Sequence, residues 1–226
     1  MNKSWDLGRR TLELSRRPLV MGILNVTPDS FSDGGQHSDP AYAAEIAVQM
    51  EADGANIIDI GGESTRPYSD PVGVEQELAR VMPVLERLTG NLSIPISIDT
   101  TKSVVASKAV GAGAEIINDV SGLEADPEMA ATARDLGVAV CVMHMQGNPQ
   151  TMQNNPHYTD VVEEIYAYLL ARRDFCVNFG IKRERICLDP GIGFGKTHQH
   201  NLELLRGTRR FAEIDSPLLI GHSRKG

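Results

Sequence analysis

The amino-acid sequence predicts an α/β fold, a (β/α)8 TIM barrel truncated after its seventh strand. Three observations predict it. Short apolar runs bounded by Gly and Pro recur along the chain, as in strands buried on both faces of a parallel sheet. Stretches with helical spacing fall between them, which makes βαβ units with right-handed crossovers. Run after run stops on a polar side chain, the arrangement by which a barrel lines a site at the C-terminal ends of its strands.

Leu19–Leu24 is the first strand and stops on Asn25. Pro40 to Asp53 follows as a helix, with Ala44, Ala47, Val48 and Glu51 at helical spacing, Asp39 as N-cap and Gly54 past its end. Ala55–Ile60 opens into Gly61-Gly62-Glu63-Ser64-Thr65-Arg66. Val72 to Leu88 is helical, with Leu78, Val81, Met82 and Leu85 on one face and a kink expected at Pro83. Ile94–Ile98 stops on Asp99, and Lys102 to Val110 is the next helix, capped by Thr100 or Thr101 and ended by Gly111. Ile116-Ile117 stops on Asn118-Asp119, before a helix from Pro127 to Leu136 with Asp126 as N-cap. Val138–Met143 stops on His144 and leads to a long helix, Thr159 to Phe179. Ile186–Leu188 stops on Asp189, Asn201 to Phe211 is the sixth helix, and Leu218–Gly221 stops on His222-Ser223-Arg224-Lys225.

Residues 1–226 thus read as one domain. A closed eight-stranded barrel needs a further helix–strand unit of about 30 residues, so a helix–strand–helix stretch is expected after Gly226 in a complete protein. A net charge of −8 disfavours a nucleic-acid partner. No apolar stretch approaches the roughly 20 residues that span a bilayer, so no membrane partner is expected, and Met1–Asp6 lacks the apolar core of a signal peptide. Cys141 and Cys187 lie in apolar strands and Cys176 on a helix, with no CxxC pair, which points to a reducing cytoplasm and away from structural zinc.

The segment from Asn25 to Gly35 is long for a βα loop. It reads either as a solvated loop of turn formers or as a mobile lid whose Asn25 and Asp33 meet a hard cation. Mg²⁺ takes few protein oxygens beside substrate phosphate, so one Asn or Asp suffices. Asp99, Asn118 and Asp189 end three strands and can converge on one flat heterocycle. Carboxylates accept from ring N–H and exocyclic NH₂ groups and Asn does both, which suits an aminopyrimidinone edge. Each of the three alone is also an ordinary strand-end residue. Ser223, Arg224 and Lys225 follow the seventh strand, where barrels hold phosphate, and form either an anion or carbonyl site or a solvated basic turn.

Pro190 to Thr197 imitates a P-loop, but GxxxxGK[ST] needs glycine five residues before Gly195 and finds Pro190. Its glycines instead let a loop pass close to a ligand, with Phe194 as an apolar wall. His198 and His200 are two apart, too close for a helix-face metal pair. His144 is expected to cap or support, not to act as a base. Met143 and Met145 share a strand face as core, with one able to stack on a planar ligand.

In these motifs the sequence resembles the dihydropteroate synthase family. Gly22 to Gly35 resembles its first signature and Asp59 to Pro67 its second. Ser97-Ile98-Asp99-Thr100, Ile116-Ile117-Asn118-Asp119, Met143-His144-Met145-Gln146-Gly147, Leu188-Asp189-Pro190-Gly191 and Ser223-Arg224-Lys225 match in order and spacing, over about residues 16–226. The resemblance implies a cytoplasmic, homodimeric, Mg²⁺-dependent transferase of folate biosynthesis, the target of sulfonamides. Such an enzyme condenses 6-hydroxymethyl-7,8-dihydropterin diphosphate with 4-aminobenzoate to give 7,8-dihydropteroate and pyrophosphate. It implies Asn25 as Mg²⁺ ligand, and Asp99, Asn118 and Asp189 around the pterin with Met143 and Phe194 near its faces. Lys225 would reach the pterin carbonyl side and Thr65 the diphosphate. Phe31, Asp33, Thr65, Arg66, Gly221 and Ser223 would shape the aminobenzoate pocket or the loops over it, with Asn25, Asp33 and Lys225 acting in catalysis. The family's Arg-x-His of strand eight, which clasps the diphosphate, has no counterpart up to Gly226.

The chemistry fits these residues. A pterin CH₂–O bond ionises once pyrophosphate is stabilised as leaving group, and a neutral arylamine then attacks without a strong base. No Ser–His–Asp or Cys–His arrangement is needed. Two other readings remain open at this point: a pterin-binding module without turnover, and a barrel that moves methyl from methyltetrahydrofolate to a corrinoid. The latter has no need of the lid motif or of Ser223-Arg224-Lys225.

Overall fold

A computed structural model describes residues 4–14, 17–27, 39–64 and 69–222 of the chain. It opens with a hairpin, β1 (Ser4–Asp6) antiparallel to β2 (Thr11–Glu13). Six parallel strands follow, standing side by side in chain order: β3 (Met21–Asn25), β4 (Ile57–Gly61), β5 (Ile96–Asp99), β6 (Ile116–Asp119), β7 (Ala139–Met143) and β8 (Ile186–Asp189). Between them run α1 (Pro40–Ala52), α2 (Val74–Leu88), α3 (Ser103–Gly111), α4 (Met129–Leu136) and α5 (Val161–Asn178), with α6 (His198–Arg206) and α7 (Thr208–Phe211) after β8. This is the strand and helix order of a TIM barrel, as the sequence predicts.

Both faces of the sheet are buried, which is why its strands are apolar throughout. Ile58, Ile60, Ile98, Ile117, Val140 and Leu188 pack with helix residues such as Ala47, Val81, Leu85 and Leu169. The intervening positions Ile57, Ile116, Ala139, Cys141 and Cys187 face inward and pack with Trp5 and Leu7 of the hairpin segment. The hairpin closes the end of the barrel away from the strands' C-termini. Trp5 Nε1 donates to the Arg185 carbonyl at 3.0 Å, Asp6 pairs with the Arg185 guanidinium at 2.9 Å, and Arg10 pairs with Glu115 at 2.9 Å.

Four expectations change. The hairpin was not foreseen, because its alternation, Ser-Trp-Asp against Thr-Leu-Glu, lasts only three residues in each strand. The predicted seventh strand is reduced to one parallel bridge, Leu188 to Leu218. Leu188 donates to Pro217 and Leu219 to Leu188, each at 2.9 Å, so neighbour and direction are as predicted. The sixth helix is divided at Gly207, where α6 ends and α7 begins. Finally, α4 starts two residues late; the Asp126 carboxylate still accepts from the Glu128 N–H at 3.0 Å and also from the Ser103 N–H at 2.8 Å, which ties α3 to the turn before α4.

Candidate active site

The register of the sheet sets out the floor of the site. Asn25 lies opposite Gly61, Gly61 opposite Asp99, Asp99 opposite Asn118, Asn118 opposite Cys141 and Cys141 opposite Cys187. Met143 opposes Asp189 one step nearer the rim. The sequence-predicted residues Asn25, Asp99, Asn118, Met143 and Asp189 are therefore all at strand ends on one side of the barrel. Gly61 shows how closely two of them approach. A Cβ there would lie 3.4 Å from Asp99 Oδ2 and 3.6 Å from Asn25 Oδ1. The missing side chain leaves room for both polar groups above β4.

Acidity and burial dominate the electrostatics. Burial, then the carboxylates of Asp59 and Asp119, push Asp99 well above the ordinary carboxylate range. Burial raises Asp59 as well, against the hydrogen bond from Asn118. Asp119 is pushed up to about 6 by burial, although Ser121 donates to it through both N–H (2.7 Å) and hydroxyl (2.6 Å). The Cys141 thiol is raised by its hydrogen bond with Cys187, by burial, and by the charges of Asp189 and Asp59. Asp189 Oδ1 accepts from the Gly191 N–H at 2.7 Å, which fixes the carboxylate at the head of the next loop.

An apolar wall stands beside the acidic floor. Phe194, from the loop after β8, packs with Met143, Met152 and Val120, and with Met145 partly buried against them. This is the wall the sequence predicts for Phe194 and Met143. The P-loop reading is also rejected by structure: Thr197 forms a capping box with His200 at the start of α6, its hydroxyl accepting from the His200 N–H at 3.1 Å. His144 is buried beside Lys196 and Tyr168, and burial together with the Lys196 ammonium pushes it down to about 3, so it is a neutral supporting group as expected.

The loop after β4 is tied at its neck. Glu63 accepts from the Val72 N–H at 2.9 Å, Arg80 donates to the Gly62 carbonyl at 2.7 Å, and Lys102 joins Glu63 to the fully buried Glu77. Thr65 and Arg66 fall between these ties but lie outside the described residues, as do Phe31, Asp33, Ser223, Arg224 and Lys225. Gly221 is described and partly exposed, just beyond the Leu218 bridge.

Two residues were missed. Asp59 is 2% exposed, accepts from the Asn118 amide at 3.0 Å, and keeps its second oxygen without a hydrogen-bond partner. Its signal was a carboxylate in the middle of an apolar strand. Lys196, 3% exposed, was passed over with the rejected P-loop.

Residues 21–226 match the model of the pterin binding enzyme family. The chain is 45% identical over 219 residues to a dihydropteroate synthase of Synechocystis sp., covering 97% of this chain and 76% of that protein. Its fold is similar to that of Xanthomonas albilineans dihydropteroate synthase with 4-aminobenzoic acid, with a TM-score of 0.91 and 45% identity over 100% of this chain and 80% of that one. It is also similar to Yersinia pestis dihydropteroate synthase in a sulfonamide drug complex, with a TM-score of 0.92 and 44% identity over 98% of this chain and 80% of that one. With most of its length matched, and with acidic and amide groups closing the strand ends beside an apolar wall, the chain belongs to the pterin binding enzyme family.

Proposed function

We propose that the protein is a dihydropteroate synthase, condensing 6-hydroxymethyl-7,8-dihydropterin diphosphate with 4-aminobenzoate and releasing pyrophosphate. The observation that carries this reading is the placement of Asp99, Asn118 and Asp189 at the C-terminal ends of β5, β6 and β8, on one end of the sheet. This reaction needs no nucleophile–base pair. Asp99 and Asp189 accept from the ring N–H and amino groups of the pterin. Asn118 commits one N–H to Asp59 and keeps its oxygen for a ring donor. Met143 and Phe194 cover the ring faces. Lys225 meets the carbonyl side and Thr65 the diphosphate, while Arg66, Asp33, Gly221 and Ser223 shape the aminobenzoate end. The methyltransferase alternative has no use for the lid motif, and both solved relatives described above are dihydropteroate synthases.

Mg²⁺ belongs to the proposal. The Asn25 amide ends β3 beside Asp99 and makes no hydrogen bond to a described residue, so it offers one hard oxygen at the rim. No group of three or more His, Cys, Asp or Glu side chains suited to a metal occurs among the described residues. When bound, Mg²⁺ would neutralise charge on the departing pyrophosphate. We further propose a homodimer in the cytoplasm; the buried free thiols of Cys141, Cys176 and Cys187 support a reducing compartment. Sedimentation equilibrium tests the dimer.

The decisive experiment supplies both substrates with Mg²⁺ and measures pyrophosphate and dihydropteroate. Product from both substrates supports the reading. Tight pterin binding without turnover would leave a pterin-binding module in its place.

A further inference from the structure

Lys196 ends the Gly-rich loop after β8, the segment that imitates a phosphate-binding loop. Its ammonium does not face outward to an anion. It is turned into the protein, where Nζ donates to the Phe194 carbonyl at 2.7 Å and to the His144 carbonyl at 3.3 Å, and lies 3.1 Å from His144 Nδ1. Two of these acceptors belong to the loop after β7 and one to the loop after β8. His144 directly follows Met143, so the ammonium is bonded to the backbone of one wall residue and to the neighbour of the other.

The two loops touch at a second point. Gly191 has φ +69°, and a Cβ there would collide with the His144 carbonyl oxygen and lie 3.2 Å from Met143 Cγ. The backbones are thus in contact below, and Lys196 bridges them above. An ammonium has three donors and no acceptor, which matches three acceptors converging from two loops. Burying a cation is costly unless it is fully hydrogen-bonded, and charge-assisted bonds to carbonyls are stronger than neutral ones. With Nδ1 facing a donor, the His144 proton sits on Nε2.

We propose that Lys196 is the positioning residue for Phe194 in the apolar wall of the pterin pocket, holding its ring against Met143 at the spacing a planar heterocycle needs. This rests on the pterin-binding reading above. Lys196 touches neither substrate nor reacting atoms in this account. It acts through the Phe194 ring, which is what separates it from a residue of general structural importance.

The test is calorimetric titration of 6-hydroxymethylpterin, which lacks the diphosphate, into wild type, Lys196→Met, Phe194→Ala and the double variant. Lys196→Met should weaken binding about tenfold, the loss of about 1.4 kcal/mol. In the Phe194→Ala background the same change should cost less than about twofold, because the group it positions is gone. Independent losses that multiply in the double variant would overturn the proposal, as would unchanged binding by Lys196→Met. If Lys196→Met does not fold, as judged by circular dichroism, Lys196→Gln, which keeps one donor, replaces it in the same cycle. Failure of the wild-type chain to bind pterin at all would instead overturn the pterin reading, and this proposal with it.

Discussion

The side-chain amide of Asn118 donates to the Asp59 carboxylate at 3.0 Å, reaching from β6 to β4 across the intervening strand. The bond decides which way the amide points. With Nδ2 committed to Asp59, the Asn118 oxygen is the acceptor left for a ligand. Asp59→Ala removes that constraint and leaves a buried amide unpaired, at a cost of about 1–3 kcal/mol. Pterin affinity is expected to fall accordingly by calorimetry, with Asp59→Asn intermediate. Unchanged affinity in Asp59→Ala would restrict Asp59 to packing.

Asp189→Asn should weaken pterin binding by about 1.5–3 kcal/mol, the range for a hydrogen bond to a charged group. The Gly191 N–H still finds an oxygen at that position. The loss therefore falls on the ligand side, where a ring N–H meets a neutral group. Titration of pterin into the variant measures it, and equal affinity would count against the assignment.

Asn25→Ala separates the two ends of the pterin substrate. Binding of the diphosphate form in Mg²⁺ should weaken, while 6-hydroxymethylpterin binds nearly as in wild type. If both ligands weaken equally, the Asn25 amide supports the rim beside Asp99 and holds no cation.

Two buried groups give opposite pH slopes to stability. His144 titrates at about 3 when folded against 6.5 ordinarily, so its contribution is present above pH 6.5 and is lost as pH falls toward 3. Asp119 titrates at about 6 against 3.8, so the folded state favours its protonated form; that stabilisation is present below pH 3.8 and is lost as pH rises through 6. Urea unfolding of His144→Gln and Asp119→Asn across this range should show wild type gaining on the first variant, and losing on the second, as pH rises. A flat difference for either variant would mean that its group does not change charge environment on folding.

Lys102→Met should destabilise the fold by about 3–5 kcal/mol, because Glu77 is fully buried and would lose its cation. Lys102→Met with Glu77→Gln should recover much of this. Thermal unfolding of both variants reports it; a mild effect of the single change would show that water reaches Glu77.

Strand order and most strand-end site residues were legible because a buried parallel strand is an apolar run, and a polar residue that ends one stands out. Asp59 was not legible as a site residue, since what makes it one is the reach of Asn118 from two strands away. Lys196 was hidden for a related reason: a lysine after glycine reads as exposed until a second loop is seen to supply its acceptors. The division of the last helix at Gly207 and the late start of α4 are local breaks that no periodicity records.

The hairpin bonds a residue near the start of the chain to one far along it: Trp5 donates to the Arg185 carbonyl, 180 positions away. Closing so long a stretch of chain costs loop entropy that a local contact does not. On the ribosome, Trp5 has to wait until β8 has been synthesised, with the barrel interior wetted from below in the meantime. Trp5 is the sole tryptophan in the sequence. Its emission therefore reports the docking of the hairpin on Arg185 and not the pairing of the parallel strands.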